Sequence, residues 1–434
     1  MDVLALLLLG SPLVTSVSSF EVNVALGVAF EPNTVVLKSN PGSSPQHLQG
    51  EARARGCGTP RRLSPGRPYF VARCSGAVGM HDLIASWSSS QAIAWAEPNY
   101  AGVQHATPDD LDAEQWYHLN EGQIVYPSNQ TFRLEGLPDA DIDTVEAWDL
   151  TTGDPSVVIA IVDSGVDVEH PELVDHIWTN PGEDCTNGID DDGNGYVDDC
   201  HGWDTGDDDP DASVVDMVDA PECGRAHGTQ VAGTASATGD NGIDVVGVDW
   251  HARIMPLAVA TTSTTGCRAY DAAAVEALLY AIDNGADVVN ISLGYPVRQS
   301  MLWQEVARSA DAAGALIVTS AGNLGREVDD NSAYPQSLEF ENLIVVGNTT
   351  NRDELWSGEL SPSSYGPRVD IAAPNVAHCR PSSAPSRPEP TRALRRSLGT
   401  SQSAPLVAGA WPWCGASCPE LSPADTKRAV LEGA

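Results

Sequence analysis

The residues best suited to chemistry stand in four short, glycine-flanked segments. Gly399-Thr400-Ser401-Gln402-Ser403-Ala404-Pro405 places a serine hydroxyl after a glycine turn, at the start of a helix-forming run. A helix start offers unbonded N–H groups and the positive end of the helix dipole, a place that receives an oxyanion. Pro405 fits a first helical turn, whose N–H groups have no partner within the helix. A serine also needs a base and an orienting acid to become a nucleophile. His227 opens His227-Gly228-Thr229-Gln230-Val231-Ala232-Gly233, and Asp163 follows an apolar run in Ile161-Val162-Asp163-Ser164-Gly165. Asn323, in Ser320-Ala321-Gly322-Asn323, follows another apolar run and brings an amide donor. Alone, each has a plain reading: a helix cap, a packed histidine, a turn former. Together they are the parts of acyl transfer.

Such parts need a rigid frame. Residues 157–162, 252–260, 287–293, 315–318 and 343–346 are apolar, β-branched runs of the kind buried on both faces of a sheet. Between them, helical patterns cover 230–237, 272–284 (capped by Gly285) and 301–313 (stopped by Gly314). The alternation predicts an α/β fold, a parallel sheet with helices on both faces. In such sheets the ligand site lies at the carboxyl ends of the strands, where these motifs fall.

The preceding stretch differs in character. Within 20–105, strands are expected at 34–38, 68–73 and 93–96 and a helix at 80–87, which makes a small α+β unit. Arg53, Arg55, Arg61, Arg62 and Arg67 mark a basic loop between its strands. Residues 106–147 are polar and turn-rich and contain the glycosylation sequon Asn129-Gln130-Thr131. At the start, the apolar run 3–14 followed by Ser16-Val17-Ser18-Ser19 reads as a signal peptide over 1–19, although Asp2 replaces the usual basic residue. No other apolar run is long enough to span a bilayer. The organisation expected is therefore 1–19, 20–105, 106–147 and a main domain over 148–434.

With 60 acidic and 23 basic residues and a net charge of -37, the chain would repel nucleic acid phosphates. The same charge favours solubility, cation binding and a high-salt or extracellular setting. Nine cysteines leave at least one without a partner in the chain, and Cys185 and Cys200 bracket an acidic loop as a disulfide would in a secreted protein.

Taken in order, the segments around Asp163, His227, Ser292-Leu293-Gly294, Asn323 and Ser401 resemble the subtilisin-like serine peptidases over about 148–410. The order Asp, His, Ser is that of subtilisin. The resemblance implies a serine endopeptidase acting on protein or peptide substrates. Ser401 would be the nucleophile, His227 the general base, Asp163 its orienting acid, and Asn323 an oxyanion donor. Ser292, Leu293 and Gly294 would form the edge on which an extended peptide pairs. It further implies that 20–105 is a pro-domain acting as the enzyme's own inhibitor. Glu97-Pro98-Asn99-Tyr100 is similar to the end of such a domain and Gln115-Trp116 to the start of a mature region, with cleavage between Tyr100 and Asp110.

One further segment points to a metal. Asp190, Asp192 and Asn194 at alternate positions, then Gly195, match the first half of a calcium loop, with the Tyr196 carbonyl and Asp198 as further oxygen donors. His201 stands where an EF-hand needs glutamate, so the expectation is a shorter calcium loop. No Lys or Arg occurs between Thr151 and Gly224 to offset these carboxylates.

Two stretches break the pattern. Between Val376 and Ser397 the chain turns rich in Pro, Ser and Arg. Pro412 is expected to end the Ser401 helix early. These breaks support a competing reading, a calcium-binding scaffold in which the serine is misplaced and catalysis impaired.

Overall fold

The computed structural model describes residues 30–75, 79–88, 90–100, 107–126, 133–213, 227–243, 245–263, 266–296, 300–329, 333–374, 376–378, 397–417 and 422–433. The expected signal peptide, the Asn129 sequon and most of the arginine-rich run lie outside these residues. The chain divides into two units, Ser11–Gln104 and one that contains His105–Ala434.

In the smaller unit, β1 (Phe30–Ser39), β2 (Arg61–Arg62), β3 (Tyr69–Arg73) and β4 (Ile93–Tyr100) form an antiparallel sheet in the order β2-β3-β1-β4. Val35, Leu37, Phe70 and Trp87 are its buried core. The helix Met80–Ser88 stands where expected, and a second helix, Pro45–Ala54, is additional. Its start was written in Ser44-Pro45: the Ser44 hydroxyl accepts from the His47 N–H, with Pro45 in the first turn. Arg61 and Arg62 form an edge strand rather than a loop, and Arg62 lies over the Phe70 ring. A disulfide joins Cys57 to Cys74.

In the larger unit, β5 (Ile124–Val125) and β6 (Leu134–Glu135) pair as a short antiparallel ribbon. β7 (Val158–Asp163), β8 (Trp203–Asp204) and β9 (Arg253–Ala258) belong to the main sheet. β10 (Ala260–Ser263) and β11 (Gly266–Ala269) form a separate antiparallel pair. The main sheet continues with β12 (Val288–Ile291), β13 (Leu316–Ser320), β14 (Leu343–Thr349) and β15 (Ile371–Pro374). Its seven strands run in the order β15-β14-β13-β12-β7-β9-β8, and every neighbouring pair is parallel.

Side chains alternate between the faces of a strand, so each strand feeds two cores. Val158, Ala160 and Val162 of β7 join Val289 and Ile291 of β12 in one core, with the helices Asp271–Asp283 and Met301–Ala313. Ile159 and Ile161 join Val288, Leu316 and Val318 in the other, with the helices His227–Ser236 and Thr400–Ser417. The same alternation puts Asp163 on the face of Ile159 and Ile161, toward the helix that begins with His227. It puts Asn290 on the face of Val288, toward the helix that carries Ser401. Position in the strand decides which helix each polar group meets.

The helix Thr400–Ser417 corrects two expectations. It begins at Thr400, so Pro405 is its sixth residue and lies beyond the first turn. It also continues through Pro412 instead of ending there. A proline removes one donor from the ladder, here the one due to Ala408, and Ala404, Leu406, Ala408 and Trp411 are buried along the helix and hold it. The arginine-rich run is bounded by β16 (Val376–His378) and β17 (Ser397–Leu398), which pair antiparallel and lead directly into Gly399.

Candidate active site

Asp163 ends β7 and is 1% exposed, and the Ser164 N–H donates to its Oδ1 at 2.7 Å. Nδ1 of His227 lies 2.8 and 2.9 Å from the two carboxylate oxygens of Asp163. A carboxylate only accepts, so Nδ1 carries the proton it donates to Asp163. Gly228 permits this approach: a Cβ there would lie 2.2 Å from the Gly165 carbonyl oxygen and 3.1 Å from Asp163 Cβ. The His227 side chain is 30% exposed and Asp163 is covered. This is the arrangement of an acid that orients a base without itself meeting solvent.

Ser401 is the second residue of its helix and half-buried. Its hydroxyl donates to the Ser292 carbonyl at 3.2 Å, while the Ser292 hydroxyl donates to the Ser401 carbonyl at 2.8 Å. Ser292 follows β12, which neighbours β7 with Ile291 opposite Val162, so Ser292 and Asp163 leave the sheet side by side. The His227 and Ser401 helices pack along each other: the Thr234 hydroxyl lies 3.4 Å from Gln402 Oε1, and a Cβ on Gly409 would lie 2.5 Å from the Ala235 carbonyl oxygen.

Asn323 follows β13, and its Oδ1 accepts from the Thr400 N–H at 2.8 Å and the Thr400 hydroxyl at 3.0 Å. Thr400 Oγ1 in turn accepts from the Gly322 N–H at 3.0 Å. A backbone N–H is a donor only, so Oδ1 must face Thr400 and the Nδ2 donor is turned away from it. Gly399, with φ of +136°, leaves room for this amide: its Cβ would stand 2.9 Å from Asn323 Nδ2.

Past Ser292, the Leu293 carbonyl accepts from Gln336 Nε2 at 3.0 Å, and Tyr295 and Tyr334 exchange backbone hydrogen bonds. Alternation along an extended chain turns the polar groups of Ser292 and Gly294 to the opposite side from the Leu293 carbonyl.

The acidic loop is closed by a Cys185–Cys200 disulfide. Three of its carboxylates, Glu183, Asp192 and Asp199, place ligand oxygens within 4.8 Å of one another. Asp199 is fully buried and accepts from Asn180, Asn194 and Tyr280, the last at 2.6 Å. Burial and this bond push the Tyr280 phenol up. Glu183 Oε1 accepts from the Asp191 and Asp192 N–H groups, whereas Oε2 is buried without a partner. An orphaned oxygen on a carboxylate grouped with two others is what a hard cation would satisfy.

Of the five ligands expected from the loop's spacing, Asp192 is one of the three carboxylates in this group. Asp190 accepts instead from the N–H groups of Gly193, Asn194 and Gly195, and Asp198 from that of Gly188. Asn194 turns its amide nitrogen toward Asp199, and the Tyr196 hydroxyl donates to Glu276. The other two carboxylates of the cluster, Glu183 and Asp199, lie near the two cysteines. Their position beside Cys185 and Cys200 was the usable signal, because a bridge there brings both ends of the loop together.

The Subtilase family matches residues 154–434, and the chain belongs to that family. It is 30% identical over 283 residues to thermitase from Thermoactinomyces vulgaris, covering 65% of this chain and 83% of thermitase. It is 31% identical to halolysin from Haloferax mediterranei over 70% of this chain and 50% of that protein. A thermophilic serine proteinase from Bacillus sp. is 30% identical over 68% of this chain, which spans 58% of its length. Among solved structures, proteases from Pseudoalteromonas arctica match with a TM-score of 0.55 and 25% identity, over 74% of this chain and 91% of theirs. No helix among the described residues is long and apolar enough to cross a membrane.

Proposed function

We propose that this chain is a secreted serine endopeptidase that cleaves peptide bonds through an acyl-enzyme on Ser401. His227 takes the serine proton and returns it to the leaving amine, and Asp163 fixes the imidazole tautomer and stabilises its charged form. The Asn323 amide and the Ser401 N–H bind the developing oxyanion. Substrate peptides lie extended along Ser292, Leu293 and Gly294. The observation that carries the reading is the bond from His227 Nδ1 to a buried Asp163; a serine at a helix start and the Asn323 amide oriented by Thr400 support it. Membership of the subtilase family supports it.

Two accompanying roles belong to this proposal. Residues 20–105 act as a pro-domain that inhibits the enzyme until cut away. Calcium stabilises the acidic loop, held by Glu183, Asp192 and Asp199, whose geometry fits a cation; the ion carries no step of the chemistry.

A fluorophosphonate probe tests the assignment. After removal of 20–105, Ser401 is labelled and His227→Ala abolishes labelling; a probe-inert protein with a native melting profile would overturn the reading.

A further inference from the structure

Pro405 leaves a gap in the helix that bears Ser401. In an α-helix the carbonyl of residue 401 accepts from the N–H of residue 405. Residue 405 is proline and has no N–H, so the carbonyl of Ser401 loses its ladder partner. A buried carbonyl without a donor is costly, and one at this position also leaves the first helical turn poorly anchored. The Ser292 hydroxyl supplies the missing donor, at 2.8 Å from the Ser401 carbonyl oxygen. Ser292 is 3% exposed and has a single proton to give. Asn290, fully buried, donates from Nδ2 to Ser292 Oγ at 3.0 Å, which leaves that proton directed at Ser401.

We infer that Ser292 and Asn290 are positioning residues for Ser401, and that the Ser292 hydroxyl takes the place of the backbone donor that Pro405 lacks. This rests on the proposed peptidase reading. It assigns the Ser292 side chain a task separate from peptide pairing, which uses the main chain. Asn290 interrupts an otherwise apolar strand for the same reason. The device sets Ser401 from the sheet rather than from its own helix, so the hydroxyl is held relative to β12 and hence to Asp163 on the neighbouring β7.

The test exploits the proline. Ser292→Ala removes the donor, and Pro405→Ala in the same protein restores one from the backbone. With a peptide anilide, Ser292→Ala should lower kcat about 10- to 100-fold with KM within about 3-fold, as expected for a small misplacement of the nucleophile. Adding Pro405→Ala should recover about 5-fold or more of that loss. Retention of kcat within about 2-fold by folded Ser292→Ala, or no recovery in the double variant, overturns the inference. If Ser292→Ala does not fold, Ser292→Thr and Ser292→Val replace it. They have nearly the same shape and only Thr keeps the hydroxyl, so equal activities overturn the inference and a Thr-only activity supports it. Failure of the peptidase reading is recognised separately, by a parent inert to substrate and probe. The clamp is then read from melting temperatures, in which Pro405→Ala must offset the loss in Ser292→Ala more than it shifts the parent.

Discussion

Thr400 holds Asn323 by two bonds to one oxygen, from its N–H at 2.8 Å and from its hydroxyl at 3.0 Å. The amide of Asn323 therefore cannot turn over without breaking both. On the proposed reading its donor is preset before any substrate arrives, the condition under which an oxyanion-binding group is most effective.

Removing half of this restraint should slow the reaction without weakening substrate binding. Thr400→Ala keeps the backbone bond and loses both the hydroxyl bond to Asn323 and the acceptor for Gly322. Outright loss of an oxyanion donor costs about 100- to 1,000-fold, so loss of an orienting partner should lower kcat about 10-fold. Steady-state kinetics on a peptide anilide should show this with KM little changed, and Thr400→Ser near the parent.

Asp163→Asn should be far more severe. The amide nitrogen would face His227 Nδ1 and favour the tautomer with its proton on Nε2, where it cannot accept from serine. A drop in kcat of about 10,000-fold is expected with the fold retained. A loss under about 100-fold, measured on protein shown to be folded by circular dichroism, would mean that His227 does not depend on this carboxylate.

His118 gives a pH signature apart from the site. It is fully buried between Thr144 and the Val246 carbonyl, and burial pulls its imidazole down to about 3. The unfolded chain protonates this group near pH 6.5 and the folded protein does not, so the unfolded state binds more protons between the two values. Its contribution is present in full above about pH 6.5 and is lost progressively as pH falls toward 3. Urea unfolding of the parent and His118→Gln should show the variant losing less stability over that range, by an amount on the order of a few kcal/mol. Parallel pH profiles would contradict the buried neutral imidazole.

Chelation should report on the acidic loop. A ligand bound only to the folded state at 100 times its dissociation constant adds about 2.7 kcal/mol. Addition of EDTA to the parent should therefore lower its melting temperature by several degrees. Glu183→Gln keeps the oxygen that accepts from Asp191 and Asp192 and removes the negative charge, so its melting temperature should respond much less. Equal responses would place any bound calcium elsewhere.

The fold's frame was legible because strands buried on both faces write themselves as continuous apolar runs: residues 157–162 became β7 and 343–346 began β14. The four site segments were legible for a related reason: Gly165 and Gly228 stand where backbones approach closely, and Gly322 and Gly399 take a positive φ. What escaped was set by tertiary context. Asn290 is one polar residue in an apolar strand, and its purpose appears only when the neighbouring helix is known to lack a donor at Pro405. Pro412 breaks an isolated helix, yet burial of Trp411 and its neighbours carries this one through. Glu183 and Asp199 are 16 positions apart in sequence, and the Cys185–Cys200 bridge makes them neighbours.

The disulfides have a consequence for how the two units can part. Cys57 and Cys74 are the only cysteines before residue 105, and they are bonded to each other. The other cysteines, including the Cys185–Cys200 pair, all belong to the larger unit. The peptide backbone is thus the sole covalent tie between the units. One cut in residues 101–106 would leave no covalent bond between the two units, in an oxidising medium and without disulfide exchange.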